Sequence, residues 1–119
     1  MHNFKQLTVW QKSMDLVEEI YQISSTFPSE EKFGLTSQIR RCSVSIPSNI
    51  AEGSGRNSDK EFVQFLKYSV GSAFEVETQL LLAHRLGLIN GDDLFGVESL
   101  TKEVQKMLHG FIKKLENNG

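Results

Sequence analysis

The sequence predicts an all-α protein, an antiparallel up-down-up-down four-helix bundle that associates with further copies of itself. Three observations carry this expectation. Four stretches repeat their apolar residues with helical period, turn chemistry separates them, and no stretch alternates apolar and polar residues as a half-buried strand would. Short connections make successive helices antiparallel neighbours. The 119 residues suit a single domain spanning 1–119, long enough to bury about two-thirds of its unfolded surface.

The first helix is expected over about residues 9–26. Thr8 and Gln11 have capping-box spacing at its start, and Phe27-Pro28-Ser29 ends it. Its apolar residues, among them Val9, Trp10, Met14, Leu16, Val17, Ile20 and Tyr21, cover an arc on the order of 180°. Glu30 to Lys32 suggest a short turn before Gly34.

The second helix, about 35–52, is the least ordinary. Ile39, Cys42, Ser43, Ile46 and Ile50 fall on one side at about 100° per residue. Arg41, Ser45, Ser48 and Glu52 form a polar line on another, with Gln38 and Asn49 at its edge. Pro47 has no N–H, so the Ser43 carbonyl loses its helical donor and a kink is expected there; nearby Ser and Asn side chains or water can serve that carbonyl. Gly53-Ser54-Gly55 ends the helix.

Ser58 and Glu61 form a capping box that opens the third helix, about 59–86, and Gly87 is placed to close it. Phe62, Phe65, Leu66, Ala73, Val76, Leu80 and Ala83 make one stripe, while Val63, Val70, Phe74 and Leu81 make a second, about 100° away. A bundle helix needs an apolar face of roughly 100° or a little more. The second stripe is surplus, so Val63, Val70, Phe74 and Leu81 are the expected seam between subunits. Asn90-Gly91-Asp92 turns the chain into the last helix, about 93–115, with Leu94, Val97, Leu100, Val104, Leu108, Phe111 and Leu115 inward.

Composition excludes several classes. With 24% charged and 39% hydrophobic residues the chain is neither disordered nor fibrous. No apolar run approaches the ~20 residues of a membrane span, and Met-His-Asn-Phe-Lys-Gln lacks the apolar core of a secretion signal. One cysteine forms no internal disulfide and suits a reducing cytoplasm. A net charge of −2 gives no global footprint for nucleic acid. Only residues 35–57 are locally basic, with Arg40, Arg41 and Arg56 against Glu52.

Catalytic and metal patterns are missing. Leu81 and Lys106 stand three residues before His84 and His109, where a di-iron bundle would carry glutamates. His2, His84 and His109 are too scattered for a zinc set; His84 reads as a hydrogen-bonded core histidine. Cys42 has no neighbouring base and reads as a packing residue. Gly53-Ser54-Gly55-Arg56 is not a phosphate loop, having neither the full pattern nor a preceding strand. No enzyme and no cofactor are expected.

The arginines remain. Arg41 lies in the polar line and is expected to pair with Glu52 or, across helices, with Glu75. Arg40 points elsewhere and is the freer phosphate ligand, joined by Arg56 and Lys60. Lys67 and Arg85 could extend a basic surface on the third helix. No aromatic residue interleaves with these charges in sequence, so base stacking has no support.

Phe4-Lys5-Gln6-Leu7-Thr8-Val9-Trp10, Phe27-Pro28, Phe33-Gly34-Leu35, Gln38-Ile39-Arg40-Arg41, Ser45-Ile46-Pro47-Ser48-Asn49-Ile50-Ala51-Glu52-Gly53 and Gly71-Ser72 together carry a family resemblance. The chain resembles, over nearly its whole length, the bacterial four-helix proteins encoded by intervening sequences within 23S rRNA genes. That resemblance implies an antiparallel bundle assembled as a homopentamer. A related branch, the accessory variability determinant of retroelements, works with a reverse transcriptase and binds nucleic acid. The resemblance therefore implies an RNA- or nucleoprotein-associated factor; a protein-interaction module without nucleic acid is the alternative.

Overall fold

The computed structural model describes residues 2–118, and among them there are four long helices and no strand. They are α1 (Thr8–Ser24), α2 (Leu35–Ser54), α3 (Asp59–Arg85) and α4 (Gly91–Asn118). Single 3-10 turns at Phe4–Gln6 and Ser29–Glu31 precede α1 and α2. Each long helix packs against the two beside it, in the cyclic order α1-α2-α3-α4, and no diagonal pair meets. The bundle is a rod with extents of 46 × 24 × 20 Å. No described helix is long and apolar enough to cross a membrane.

The helix ends show which local signals act as expected. Ser58 Oγ accepts from the Glu61 N–H at 3.1 Å, and the Glu61 carboxylate reaches back to the N–H of Asn57 at 3.2 Å. At the other end of α3, Gly87 adopts φ +77°, with Leu88 N–H bonded to Ala83 O and Gly87 N–H to His84 O. This is a Schellman closure, which requires the left-handed conformation that glycine adopts without strain. Thr8 departs from expectation: it is the first helical residue of α1, and Leu7 stands at the cap with no side-chain acceptor. Gln11 instead donates from Nε2 to the Lys5 carbonyl at 2.9 Å, tying the N-terminal 3-10 turn to α1. α1 also stops earlier, at Ser24, where Ser24, Ser25 and Thr26 donate their hydroxyls to the last carbonyls. Such local bonds compete with helix continuation.

α4 begins earlier than its sequence suggests, at Gly91, because Asn90 caps it: its Oδ1 accepts from Asp93 N–H at 2.8 Å. α2 likewise runs on to Ser54. Gly53 is therefore not a terminator but a point of close approach. A Cβ built there would stand 2.6 Å from Phe65 Cβ and 2.8 Å from Phe62 Cδ1. Helices α2 and α3 come this near only because position 53 has no side chain.

The core is made of Leu16 and Ile20, Ile39, Ile46 and Ile50, Phe62, Leu66, Val76 and Leu80, and Val104 and Leu108, all fully buried. Val63 also belongs to it, at 7% exposure, and Val70 packs against it from the edge. Two of the four residues expected to form a subunit seam thus serve the chain's own core, because α4 approaches α3 on that side. His84 is displaced in the opposite sense. It is exposed, because the last turn of α3 turns its neighbour Ala83 to the core and His84 away from it.

α2 continues through Pro47. The donors expected for the Ser43 carbonyl arrive a little further on: Asn49 Nδ2 donates to Ser45 O and the buried Ser69 Oγ of α3 to Ile46 O, both at 2.8 Å. The second of these joins two helices through the interior, at the level of the proline.

Gly53→Ala should destabilise the fold by about 1–3 kcal/mol through overpacking against α3. Gly71→Ala, at an exposed site on α3 where nothing lies within 4 Å of an added Cβ, should stabilise it by up to about 1 kcal/mol. Urea unfolding of both variants reads the contrast; equal shifts would refute the close-approach role of Gly53.

Candidate functional site

The polar line of α2 faces α3 along one edge only. Ser45 Oγ is hydrogen-bonded to Ser72 Oγ, with Asn49 beside it. One turn earlier, the Cys42 thiol donates to Glu75 Oε2 at 3.3 Å and receives the Gln79 amide at 3.6 Å. Gln79 Oε1 is buried there without a donor among the described residues. Burial, reinforced by the hydrogen bond to the Glu75 carboxylate and its charge, pushes the Cys42 thiol from 9.0 up to about 11; Gln79 and Arg41 oppose the shift. A thiol held protonated at neutral pH is a poor nucleophile, which agrees with a packing role.

Of the Arg40-Arg41 pair, the structure anchors Arg40 rather than Arg41. Arg40 is the anchored one: Nε donates to Ser24 Oγ at 2.8 Å, a terminal nitrogen donates to Tyr21 O at 3.3 Å, and the guanidinium lies 4.5 Å over the Tyr21 ring. It caps the carbonyl end of α1, where a cation also complements the helix dipole. Arg41 is exposed and forms no ion pair with Glu52 or Glu75. Glu52 pairs with Arg56 instead, at 3.3 Å, and Arg56 lies 4.6 Å over Phe65. Aromatic rings therefore stand against both of these cations within the chain. They come from other helices, so their spacing in sequence conceals them. Ser48 is exposed on the α1 side of α2 and lines an apolar groove of about 320 Å³ with Trp10, Met14, Val17, Val44, Pro47 and others.

A basic surface runs along α3 and α4; the sequence reading named Lys60 and Lys67 on α3 and missed the part on α4. Lys60, Lys67, Phe74 and Leu81 recur every seven residues on α3. The Phe74 ring lies 6.4 Å from that of His109 on α4, and Lys67 Nζ lies 3.9 Å from Glu116 Oε2, so this stripe borders α4. Lys102, Lys106, His109 and Lys113 recur beside it at helical spacing and are all exposed. Asp59, Glu98 and Glu116 offset part of the charge, but Lys60, Lys106 and Lys113 have no ion-pair partner among the described residues. The heptad interval of Lys60 and Lys67 is legible in the sequence; the adjacency of the two stripes is not. Arg40 lies at the end of α1 and Arg56 over Phe65, which is not in the heptad stripe of α3, so only Lys60 of the expected phosphate ligands belongs to this surface. On the α1–α4 side, Glu19, Asp92 and Asp93 line an open cleft, and burial followed by the charge of Asp15 raises the Glu19 carboxyl above its usual range. Among the described residues no group of three His, Cys, Asp or Glu side chains could hold a metal ion.

Arg40→Ala should cost about 1–2 kcal/mol, since it strips donors from Ser24 and Tyr21, while Arg41→Ala should stay within about 0.5 kcal/mol of wild type. Thermal unfolding of the two variants side by side decides it, and a larger loss at Arg41 would overturn this assignment.

No curated protein matches the chain. Among solved structures it is similar to a protein of unknown function from the S23 ribosomal protein family of Bacteroides thetaiotaomicron. The two are 28% identical and superpose with a TM-score of 0.83 over 89% of this chain and 99% of that one. The family model for the 23S rRNA-intervening sequence protein matches residues 5–110, and neither description names an enzymatic activity. With nearly its whole length matched and the bundle shared, the chain belongs to the 23S rRNA-intervening sequence protein family.

Proposed function

We propose that this chain is a non-catalytic, self-associating helical bundle whose task is to present surfaces in multiple copies. One observation carries the reading: large apolar side chains stay exposed along the helices themselves. Met14 and Val44 are 42% and 40% exposed beside the α1–α2 groove, and Phe74 and Leu81 are 47% and 42% exposed on α3. Large apolar surface on a soluble chain marks contact sites. Five copies is the number implied by the family resemblance.

A second reading, association with RNA, is favoured by the lysines of α3 and α4 together with the family description. Phosphate contacts from lysine need no sequence readout, and A-form duplexes are bound mainly by shape and backbone. Symmetry would multiply a modest basic stripe into an extended one. Arg40 and Arg56, each already engaged within the chain, contribute less to this reading than Lys60, Lys67 and Lys106.

Light scattering at micromolar concentration should give a mass several times 13.5 kDa. A folded, soluble monomer would refute self-association. Fluorescence anisotropy with a labelled RNA should show binding at low salt that weakens by about 0.7–0.9 log units per phosphate contact for each log unit of salt. Lys60→Glu combined with Lys67→Glu should weaken it further than Arg40→Glu with Arg56→Glu. No binding at low salt would remove RNA from the account and leave protein interaction alone.

A further inference from the structure

We infer that residues 2–7 are a pH-sensitive strap: His2 latches the segment to the base of the bundle, and its protonation sets how firmly Phe4 walls the apolar groove between α1 and α2. The inference goes beyond the self-association reading and does not depend on it.

This short segment touches all four helices. His2 N–H donates to Ser54 O at the end of α2, at 3.0 Å. The His2 ring lies 5.0 Å from that of Phe62 on α3 and 6.2 Å from that of Phe111 on α4. Its Nε2 stands 3.4 Å from Asp59 Oδ1. Phe4 then meets Trp10 of α1 edge to face at 5.2 Å, and the two rings wall the groove that Met14, Val44 and Pro47 also line. Asn3 couples these attachments. Extended itself, it accepts from Lys5 N–H at 3.3 Å and so caps the 3-10 turn that carries Phe4. At the far end Gln11 holds the Lys5 carbonyl at 2.9 Å. Release of His2 therefore swings Phe4 about Lys5 instead of freeing the whole segment.

Of the side chains that make these contacts, only an imidazole changes charge between about pH 5 and 8. A carboxylate keeps its charge down to about pH 4, so both charges of the His2–Asp59 pair coexist at mildly acidic pH and one is lost as pH rises. Charge assistance strengthens such a hydrogen bond, and the strap closes most firmly at mildly acidic pH. The surrounding charges do not replace this pair. Asp59 is the one charged group bonded to the ring among the described residues. At the corner between α2 and α3, Glu52 is paired with Arg56, and Glu61 accepts from Asn57 N–H. On α4, Glu116 faces Lys67, while Lys114, one turn beyond Phe111, and Lys5 of the strap carry opposing positive charge. Because the pair is partly exposed, the ratio of closed to open strap should fall only about two- to fivefold as the imidazole loses its proton.

Trp10 is the only tryptophan of the chain, so its emission reads the Phe4 contact. The test follows that emission in the full chain from about pH 5 to 8. Alongside it, amide hydrogen exchange is measured at Gln6 and Leu7, whose N–H groups bond to Asn3 O and Phe4 O, with correction for intrinsic rates. In wild type, emission should move to longer wavelength as pH rises, and protection of the two amides should fall about two- to fivefold. His2→Gln and Asp59→Asn should abolish both changes, while His84→Gln and His109→Gln should leave them intact. Phe4→Ala should emit at the longer wavelength throughout, with circular dichroism confirming that every variant folds. Flat wild-type profiles, or a transition that persists in His2→Gln, would overturn the strap. Neither result bears on whether copies of the chain associate, which light scattering decides separately.

Discussion

The close approach of α2 and α3 is the constraint on which the other features depend. Gly53 brings the end of α2 against Phe62 and Phe65, Ser69 donates through the interior to a carbonyl beside Pro47, and Ser45 meets Ser72. A larger side chain at any of these points would push the helices apart. The small polar residues of α2 are thus explained without catalysis. They allow near contact while giving each buried hydroxyl or carbonyl a partner, as low-dielectric surroundings demand.

That packing also decides which charges are available to a ligand. Arg40 closes the carbonyl end of α1 against Tyr21 and Ser24, and Arg56 is held between Glu52 and Phe65. A guanidinium already stacked and hydrogen-bonded must give up those contacts to bind phosphate. Lys60, Lys106 and Lys113 carry no such commitment among the described residues, and Lys67 and Lys102 make only long ion pairs of 3.9 Å. The chain has a net charge of −2, yet one side of the rod is basic and the cleft between α1 and α4 is acidic. Distribution, more than total charge, sets what such a rod can attract.

The sequence by itself determined the architecture. Helical periodicity, the Ser58–Glu61 box and the Gly87 terminator act through neighbours three or four residues away, and that range is visible along a chain. The motif around Pro47 determined the family for the same reason, being contiguous. Tertiary structure decided the rest. It alone placed Tyr21 beneath Arg40 and Phe65 beneath Arg56, moved Val63 from the expected seam into the core, left His84 in solvent, and turned Gly53 from a stop signal into a contact point. Each of these depends on how far one helix is rotated toward another. That rotation is set by the sum of many interhelical contacts, and no local spacing encodes it.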